Sequence, residues 1–170
     1  MKRLAVLHTV PFLADLFKNM LKERYPDLDA FHMVDESLLQ DLMRGGPSPS
    51  IFRRIATHAM LARDAGADLL VFTCSSTSPA VDTARQLIDI PIVKIDDAMM
   101  EKAVATGTKI GIVCTTTSTK GPSTDLVHAH AAALGKSIDV TTELKADAYQ
   151  ALIGGDRDTH DRIDSEAALV

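Results

Sequence analysis

Six short apolar runs alternate with longer, more polar segments along the 170 residues of the chain. Most of the segments between the runs are long enough for a helix and carry helix start and stop signals. The runs span Leu4–Leu7, Ala30–Val34, Leu69–Thr73, Ile90–Ile95, Lys109–Val113 and Ile138–Thr142. This alternation of strands with helices predicts an α/β fold built on parallel sheet.

Proline and glycine mark the predicted helix boundaries. Ser48-Pro49 and Ser78-Pro79 each place a capping serine before a proline, which is typical of a first helical turn. The first of these helices is expected to end at Gly66, because glycine tolerates the left-handed backbone of a helix end. Two further starts are predicted at Asp97 and Pro122, and two further stops at Gly107 and Gly135.

An internal echo indicates two related halves. The segments LLVFTCSSTS (Leu69–Ser78) and KIGIVCTTTS (Lys109–Ser118) both carry a strand, a cysteine and a run of hydroxyl residues. We therefore expect a first α/β domain over residues 1–96 and a second over residues 97–170. The final segment, THDRIDSEAALV, has the pattern of the first turns of an amphipathic helix.

Composition and charge exclude several classes of partner. The chain is 46% hydrophobic and 24% charged, with a formal net charge of −5, and its Lys and Arg residues are spread out. We expect no nucleic-acid partner, because such binders cluster their basic residues. No membrane span is expected either, since no apolar segment approaches about 20 residues. Two cysteines do not make a disulfide framework, which favours a reducing, cytoplasmic location.

Polar groups gather where the predicted strands end. Ligands of open parallel sheets bind beyond these carboxyl ends. The ends carry His8-Thr9, Asp35-Glu36-Ser37, Cys74 to Thr77, Asp96-Asp97 and Cys114 to Thr119. No GxGxxG or GxxxxGK[ST] motif follows any strand, and the six histidines have no metal-ligand spacing, so neither a nucleotide nor a metal site is expected.

Cys74 has two interpretations from its position. A following helix start favours a thiolate, which would lower the pKa of the thiol and suit a base or nucleophile. Free cysteine is also among the most buried residue types, so Cys74 could simply fill the core. The hydroxyl residues after it suit an anionic ligand better than a core. For Cys114 and the turn that follows it, a carboxylate-binding turn and an ordinary connection both stay open.

Five segments resemble the aspartate/glutamate/hydantoin racemase superfamily, which includes arylmalonate decarboxylases and maleate isomerases. They are LAVLHTVP (Leu4–Pro11), VDESLLQD (Val34–Asp41), GADLLVFTCSSTSPAVD (Gly66–Asp82), IPIVKIDDAM (Ile90–Met99) and KIGIVCTTTST (Lys109–Thr119). The resemblance covers nearly the whole chain. Its most specific part is the Cys-Ser-Ser turn after an apolar strand, followed at similar spacing by the second strand exit.

The resemblance implies a fold, a chemistry and a set of site residues. It implies two similar, Rossmann-like halves with the active site in the cleft between them, no cofactor, and thiols that act on a carbon next to a carboxylate. Cys74 matches the catalytic cysteine of the first domain. The predicted substrate-binding residues are His8, Thr9, Ser75, Ser76, Thr115 and Thr116. Cys114 falls one residue before Thr115, where relatives usually carry a small residue, and is the weaker candidate.

The resemblance also leaves alternatives for the activity. Relatives usually continue to a further strand that carries the second catalytic residue, so we expect the C-terminal part of the family fold to be missing. The leading interpretation is a cofactor-independent racemase or isomerase of a small amino acid or dicarboxylate, forming a homo-oligomer, with Cys74 as base. A decarboxylase or cis–trans isomerase of the same superfamily, or a catalytically silent carboxylate-binding protein, are the alternatives.

Overall fold

The first unit of the chain is built on four parallel strands. The computed structural model describes residues 2–167 and divides the chain into the units Met1–Ile95 and Asp96–Val170. The elements of the first unit are β1 (Arg3–His8), α1 (Pro11–Arg24), β2 (Asp29–Val34), α2 (Glu36–Gly45), α3 (Pro49–Asp64), β3 (Leu69–Phe72), α4 (Ser78–Ala84) and β4 (Ile92–Lys94). The strands lie in the order β2-β1-β3-β4, and every pairing is parallel.

The core of this unit lies between the sheet and the helices α2, α3 and α4. Leu7, Leu70 and Phe72 project from the strands into a cluster that also contains Ile55 and Val81, and each of them is at most 1% exposed. Full burial of such a side chain stabilises the fold by about 1.5–3 kcal/mol. Because alternate strand residues face opposite sides, the same strands turn Val6 and His8 towards the other face.

The predicted boundaries of α3 are confirmed. The Ser48 hydroxyl accepts a hydrogen bond from the backbone N–H of Ile51 at 3.4 Å, and Pro49 occupies the first turn. Gly66 follows the helix with φ +86°, a conformation that glycine adopts without steric cost. The sequence signals work here because both ends of the helix depend on local chemistry.

A polar cluster fixes the turn from β2 to α2 against α3. The Asp35 carboxylate accepts hydrogen bonds from Arg54 at 2.9 and 3.0 Å, from His58 at 2.8 Å and from Ser37 at 2.6 Å. Arg54 also donates to Asp41 at 2.8 Å. Burial alone would raise the pKa of Asp35, but these donors together hold it well below its usual range.

The second unit contains a two-stranded parallel sheet among its described residues. Its elements are α5 (Asp97–Thr106), β5 (Lys109–Cys114), α6 (Thr117–Ala133), β6 (Asp139–Leu144), α7 (Ala146–Ile153) and α8 (Arg157–Ala167). One face of the sheet joins a core of Met100, Val104, Ile112, Leu126 and Val127. The other face, which includes Gly111 and Thr141, is exposed and lines a cavity of about 540 Å³.

The predicted helix start at Pro122 is wrong. Helix α6 begins at Thr117, directly after the exit of β5, and Pro122 lies inside it. The hydroxyl of Thr116 lies 3.2 Å from the Ser118 hydroxyl and 2.8 Å from the Thr119 hydroxyl, and these contacts order the first turn five residues earlier than the proline signal. The other predicted start in this half, at Asp97, is confirmed.

The six predicted strands are all present, with ends that differ from the predictions by at most two residues. The tail predicted to begin a helix at Thr159 lies within α8 as far as Ala167, and residues 168–170 lie outside the described part of the chain. Within residues 2–167, no helix combines the length and hydropathy that crossing a bilayer requires.

We expect the substitution Arg54→Leu to destabilise the first unit. It removes the guanidinium donors to Asp35 and Asp41 while both carboxylates stay in place. Because Asp35 keeps His58 and Ser37 and the cluster is partly exposed, the cost is limited to about 2 kcal/mol in the free energy of unfolding. The matched control is Arg53→Leu, at the adjacent exposed position of α3, which should change stability by less than about 0.5 kcal/mol. Urea unfolding followed by circular dichroism measures both, and equal effects would contradict the role given to the cluster.

Candidate functional site

The exits of β1 and β3 lie side by side and carry the predicted residues of the first unit. The parallel ladder between these strands ends at the pair Leu7 and Phe72. His8 and Thr9 follow on β1, and Thr73 and Cys74 follow on β3. The structure therefore brings His8, Thr9 and Cys74 to one edge of the sheet, as the alternation of strands and helices predicts.

Cys74 occupies the corner between β3 and α4. It keeps an extended backbone, and a 3₁₀ turn over Ser75–Thr77 leads directly into the helix. Ser75 is partly exposed, whereas Ser76 and Thr77 are buried at 3% and 1%. The thiol itself is partly buried, so it is neither an open surface cysteine nor a residue enclosed in the core.

The sulfur of Cys74 accepts hydrogen bonds from several donors. The Thr9 hydroxyl from the neighbouring strand exit, and the Ser76 hydroxyl and the backbone N–H groups of Ser76 and Thr77 from the turn, lie beside the sulfur and favour its anion, while the Thr77 N–H also donates to the carbonyl oxygen of Cys74 at 3.1 Å. The Thr77 hydroxyl in turn donates to the carbonyl oxygen of Cys74 at 2.6 Å. These are the donors that a sulfur anion requires when water is excluded.

The predicted lowering of the Cys74 pKa is wrong. Burial raises the pKa of this thiol, and the hydrogen bonds from Thr9, Ser76 and Thr77 oppose the rise without cancelling it. The sequence argument relied on a helix N-terminus, but α4 has only seven residues and is separated from Cys74 by the 3₁₀ turn. Loss of hydration outweighs so short a dipole.

His8 is enclosed in the protein. Its side chain is 0% exposed, its Nδ1 lies 3.0 Å from the Thr73 hydroxyl, and its Nε2 lies 2.8 Å from Nδ1 of His32. Burial lowers the pKa of His8 to about 4, and His32 adds to this effect, so the ring is neutral at physiological pH. The predicted contact of His8 with a substrate stays a prediction, while its observed contacts join three strands.

The predicted residues of the second unit follow β5. Cys114 is 2% exposed and belongs to the hydrophobic core of this unit, where burial raises the pKa of its thiol. Thr115 is partly exposed in the bend after the strand, and Thr116 is buried with its hydroxyl against Ser118 and Thr119. The predicted sharing of one cleft by Cys74 and Thr115 stays a prediction.

Two residues that support the neighbours of the thiol were not among the predicted site residues. They are Thr73 and His32. The position of Thr73 directly before Cys74 could have indicated its role, because a residue at a strand end forms hydrogen bonds with the neighbouring strand. No signal identified His32, since its pairing with His8 depends on the register of β1 and β2. Within the described chain, no group of three or more His, Cys, Asp and Glu residues is arranged to hold a metal ion.

We expect iodoacetamide to alkylate Cys74 slowly at neutral pH and steadily faster above pH 9. Only the thiolate reacts, and burial raises the pKa of this thiol above its ordinary value of 9.0. Trypsin places Cys74 in the peptide 64–85 and Cys114 in the peptide 110–120, so mass spectrometry follows each cysteine separately. A rate for Cys74 that reaches its plateau below pH 8.5 would contradict the assignment.

Three solved structures that share this fold are described as racemases or as a putative racemase. An aspartate racemase from Picrophilus torridus has a TM-score of 0.71 at 10% identity, over 98% of this chain and 74% of that one. A glutamate racemase from Aquifex pyrophilus has a TM-score of 0.63 at 18% identity, over 84% of this chain and 54% of that one. A putative Asp/Glu racemase from Yersinia pestis has a TM-score of 0.63 at 18% identity, over 99% of this chain and 81% of that one.

These structural similarities establish the fold, and the chain spans about half the length of the Aquifex pyrophilus enzyme. No curated protein sequence matches the chain. A family model does match: the model described as Asp/Glu/Hydantoin racemase aligns with residues 9–168, which include every strand after β1 and the Cys-Ser-Ser turn. The chain therefore belongs to the Asp/Glu/hydantoin racemase family.

Proposed function

We propose that this protein is a cofactor-independent racemase or isomerase that acts at the carbon next to a carboxylate of a small amino acid or dicarboxylate. The observation that carries the proposal is the thiol of Cys74, which lies at a strand exit and accepts hydrogen bonds from Thr9 and two backbone N–H groups. Membership of the racemase family supports the reaction class.

Cys74 is the proposed base. Its thiolate removes the proton from the substrate carbon, and the C–H electron pair moves into the neighbouring carboxylate to give an enediolate. Water on the opposite face returns a proton to the carbon, and the thiol releases the proton that it took, so that the configuration is inverted. The raised pKa makes the thiolate scarce but strongly basic, which suits the removal of a proton from a weak carbon acid. Thr9, Ser76 and Thr77 stabilise the sulfur anion before the substrate binds.

Thr115 is the proposed anchor for a substrate carboxylate in the second unit. It lies directly after the end of β5 and it is partly exposed, as Cys74 is beyond the end of β3. Thr116 is a weaker candidate than its neighbour, because its hydroxyl already contacts Ser118 and Thr119. Ser75 is partly exposed and keeps its proposed binding role.

A decarboxylase is the second candidate, and the raised pKa of Cys74 favours it. Loss of CO₂ from a malonate-like substrate leaves the C–C electron pair on the carbon as an enediolate, and a protonated thiol then delivers the proton to that carbon. This role needs one cysteine in its neutral form, which is the form that burial favours. The resulting thiolate takes a proton from solvent to complete the cycle.

Cys74→Ala is expected to abolish proton exchange at the substrate carbon. The protein is incubated in D₂O with aspartate, glutamate, maleate and 2-substituted malonates, and NMR follows deuterium incorporation while polarimetry and CO₂ release separate racemisation from decarboxylation. The matched control is Cys114→Ala, which changes only the core of the second unit and should retain the exchange. Undiminished exchange in Cys74→Ala would overturn the assignment, and binding of a carboxylate by wild type without any reaction would favour the silent carboxylate-binding protein.

Thr115→Val is expected to weaken carboxylate binding and leave the chemistry of bound substrate largely intact. A hydrogen bond to a charged group contributes about 1.5–3 kcal/mol, so the dissociation constant should rise about 10- to 150-fold. Titration calorimetry with a substrate or inhibitor measures this change. The control is Thr117→Val, two residues along on the exposed first turn of α6, which should bind as wild type does. Equal losses in the two variants would contradict the specific role of Thr115.

A further inference from the structure

The imidazole of His8 joins three elements around the exit of β1. On α1, the ring of Phe17 lies with its centroid 5.5 Å from that of His8. On β2, the ring of His32 lies nearly coplanar with that of His8, with the ring centroids 5.1 Å apart, and on the other side the hydroxyl of Thr73, directly after β3, lies 3.0 Å from Nδ1. A polar ring at 0% exposure with both nitrogens engaged is costly to disrupt, because either nitrogen would lose a partner that water cannot replace.

The hydrogen bonds around His8 form a chain in which every proton is donated in the same direction. The Thr73 hydroxyl donates to the carbonyl oxygen of Leu7 at 3.1 Å, so it uses its only proton there. We therefore assign Nδ1–H of His8 as the donor to Thr73, which leaves Nε2 of the neutral ring to accept from Nδ1–H of His32. The chain runs from His32 through His8 and Thr73 to the backbone of β1.

The residues of this hydrogen-bond chain are sequence neighbours of the thiol and of the Thr9 hydroxyl beside it. Thr73 directly precedes Cys74, and Thr9 directly follows His8. The β1–β3 ladder ends at Leu7 and Phe72, and beyond it the backbone N–H of Thr73 donates to Leu7 at 3.0 Å. On the other side, the N–H of Asp35 donates to the carbonyl oxygen of His8 at 2.9 Å, which ties the exit of β2 to the same residue.

We propose that His8 is a positioning residue for Cys74. Its ring, held by His32 and Thr73, sets the spacing between the exits of β1 and β3 so that the Thr9 hydroxyl reaches the sulfur. Asp15 and Lys18 of α1 are the charged groups that act electrostatically on His32, which is the first residue of the hydrogen-bond chain. The role concerns the site of the proposed function, but its test follows the thiol and not turnover, so failure of one does not imply failure of the other.

A double-mutant cycle between His8 and Thr9 tests the proposal. Thr9→Val removes the donor to the sulfur and should lower the alkylation rate of Cys74 at pH 8.5 about tenfold or more, since the thiolate becomes rarer. His8→Leu should lower the rate by a similar factor, and the double variant should show no further decrease. Effects that multiply in the double variant would overturn the proposal, as would an unchanged rate in His8→Leu.

The direction of the change separates positioning from loss of structure. A variant that merely loosens the fold exposes the thiol and increases the alkylation rate, whereas loss of the Thr9 contact decreases it. His58→Leu is the destabilising control, because it breaks the hydrogen bond to Asp35 without touching the chain through His8, and it should not slow the alkylation. A decrease in this control equal to that in His8→Leu would contradict the specific role of His8.

Two conservative variants keep the test decisive if His8→Leu does not fold. In His8→Asn, the amide N–H can replace Nδ1–H towards Thr73 but cannot reach His32, and in His8→Gln the amide oxygen can replace Nε2 towards His32. We expect His8→Asn to retain most of the wild-type alkylation rate and His8→Gln to lose it. The reverse order, or equal rates in the two variants, would overturn the proposal.

Discussion

The pairing of β1 with β3 connects residues 65 positions apart in the chain, and the geometry at the candidate site depends on it. Parallel strands place their carboxyl ends at one edge, and this pairing places Thr9 within reach of the sulfur of Cys74. The core beneath the strands, with Leu7, Leu70 and Phe72 buried, holds the pairing in register. A one-residue slip would turn these side chains out of the core and His8 away from Thr73, so stability and site geometry share one constraint.

The electrostatics of Cys74 reflect two opposing effects at one atom. Exclusion of water disfavours the thiolate, whereas the donors from Thr9, Ser76 and Thr77 favour it. The outcome is a thiol with a raised pKa that nevertheless has its anion-stabilising groups already in place. Such an arrangement costs little reorganisation when a proton moves, which is the property that proton transfer to or from carbon requires.

Each unit has a cysteine at the exit of a strand, but the surroundings of the two cysteines differ. After β3, the chain turns through a 3₁₀ segment whose amides face the sulfur of Cys74. After β5, the cysteine points into the core and hydroxyls of Thr116, Ser118 and Thr119 interact with one another to begin α6. The resemblance between LLVFTCSSTS and KIGIVCTTTS therefore extends to the strand and the following helix and stops at the orientation of the thiol.

The sequence by itself determined the elements whose signals are local. Six strands followed from runs of apolar residues, the start of α3 from Ser48-Pro49, and its end from Gly66, since caps and left-handed turns depend on neighbours along the chain. The family and the candidate positions at the strand ends also followed from short motifs. The helix start predicted at Pro122 is wrong because the hydrogen bonds of the Thr116 hydroxyl order the first turn of α6 before the proline.

Only the tertiary structure decided the pKa of Cys74, the enclosure of His8 and its pairing with His32. A pKa depends on how much water surrounds a group and on donors from distant segments, and Thr9 follows β1 whereas the thiol beside it follows β3. The pairing of His8 with His32 likewise requires the register of β1 against β2, which sets which side chains share a face. These properties arise from the packing of segments far apart in the chain, so no local pattern of residues specifies them.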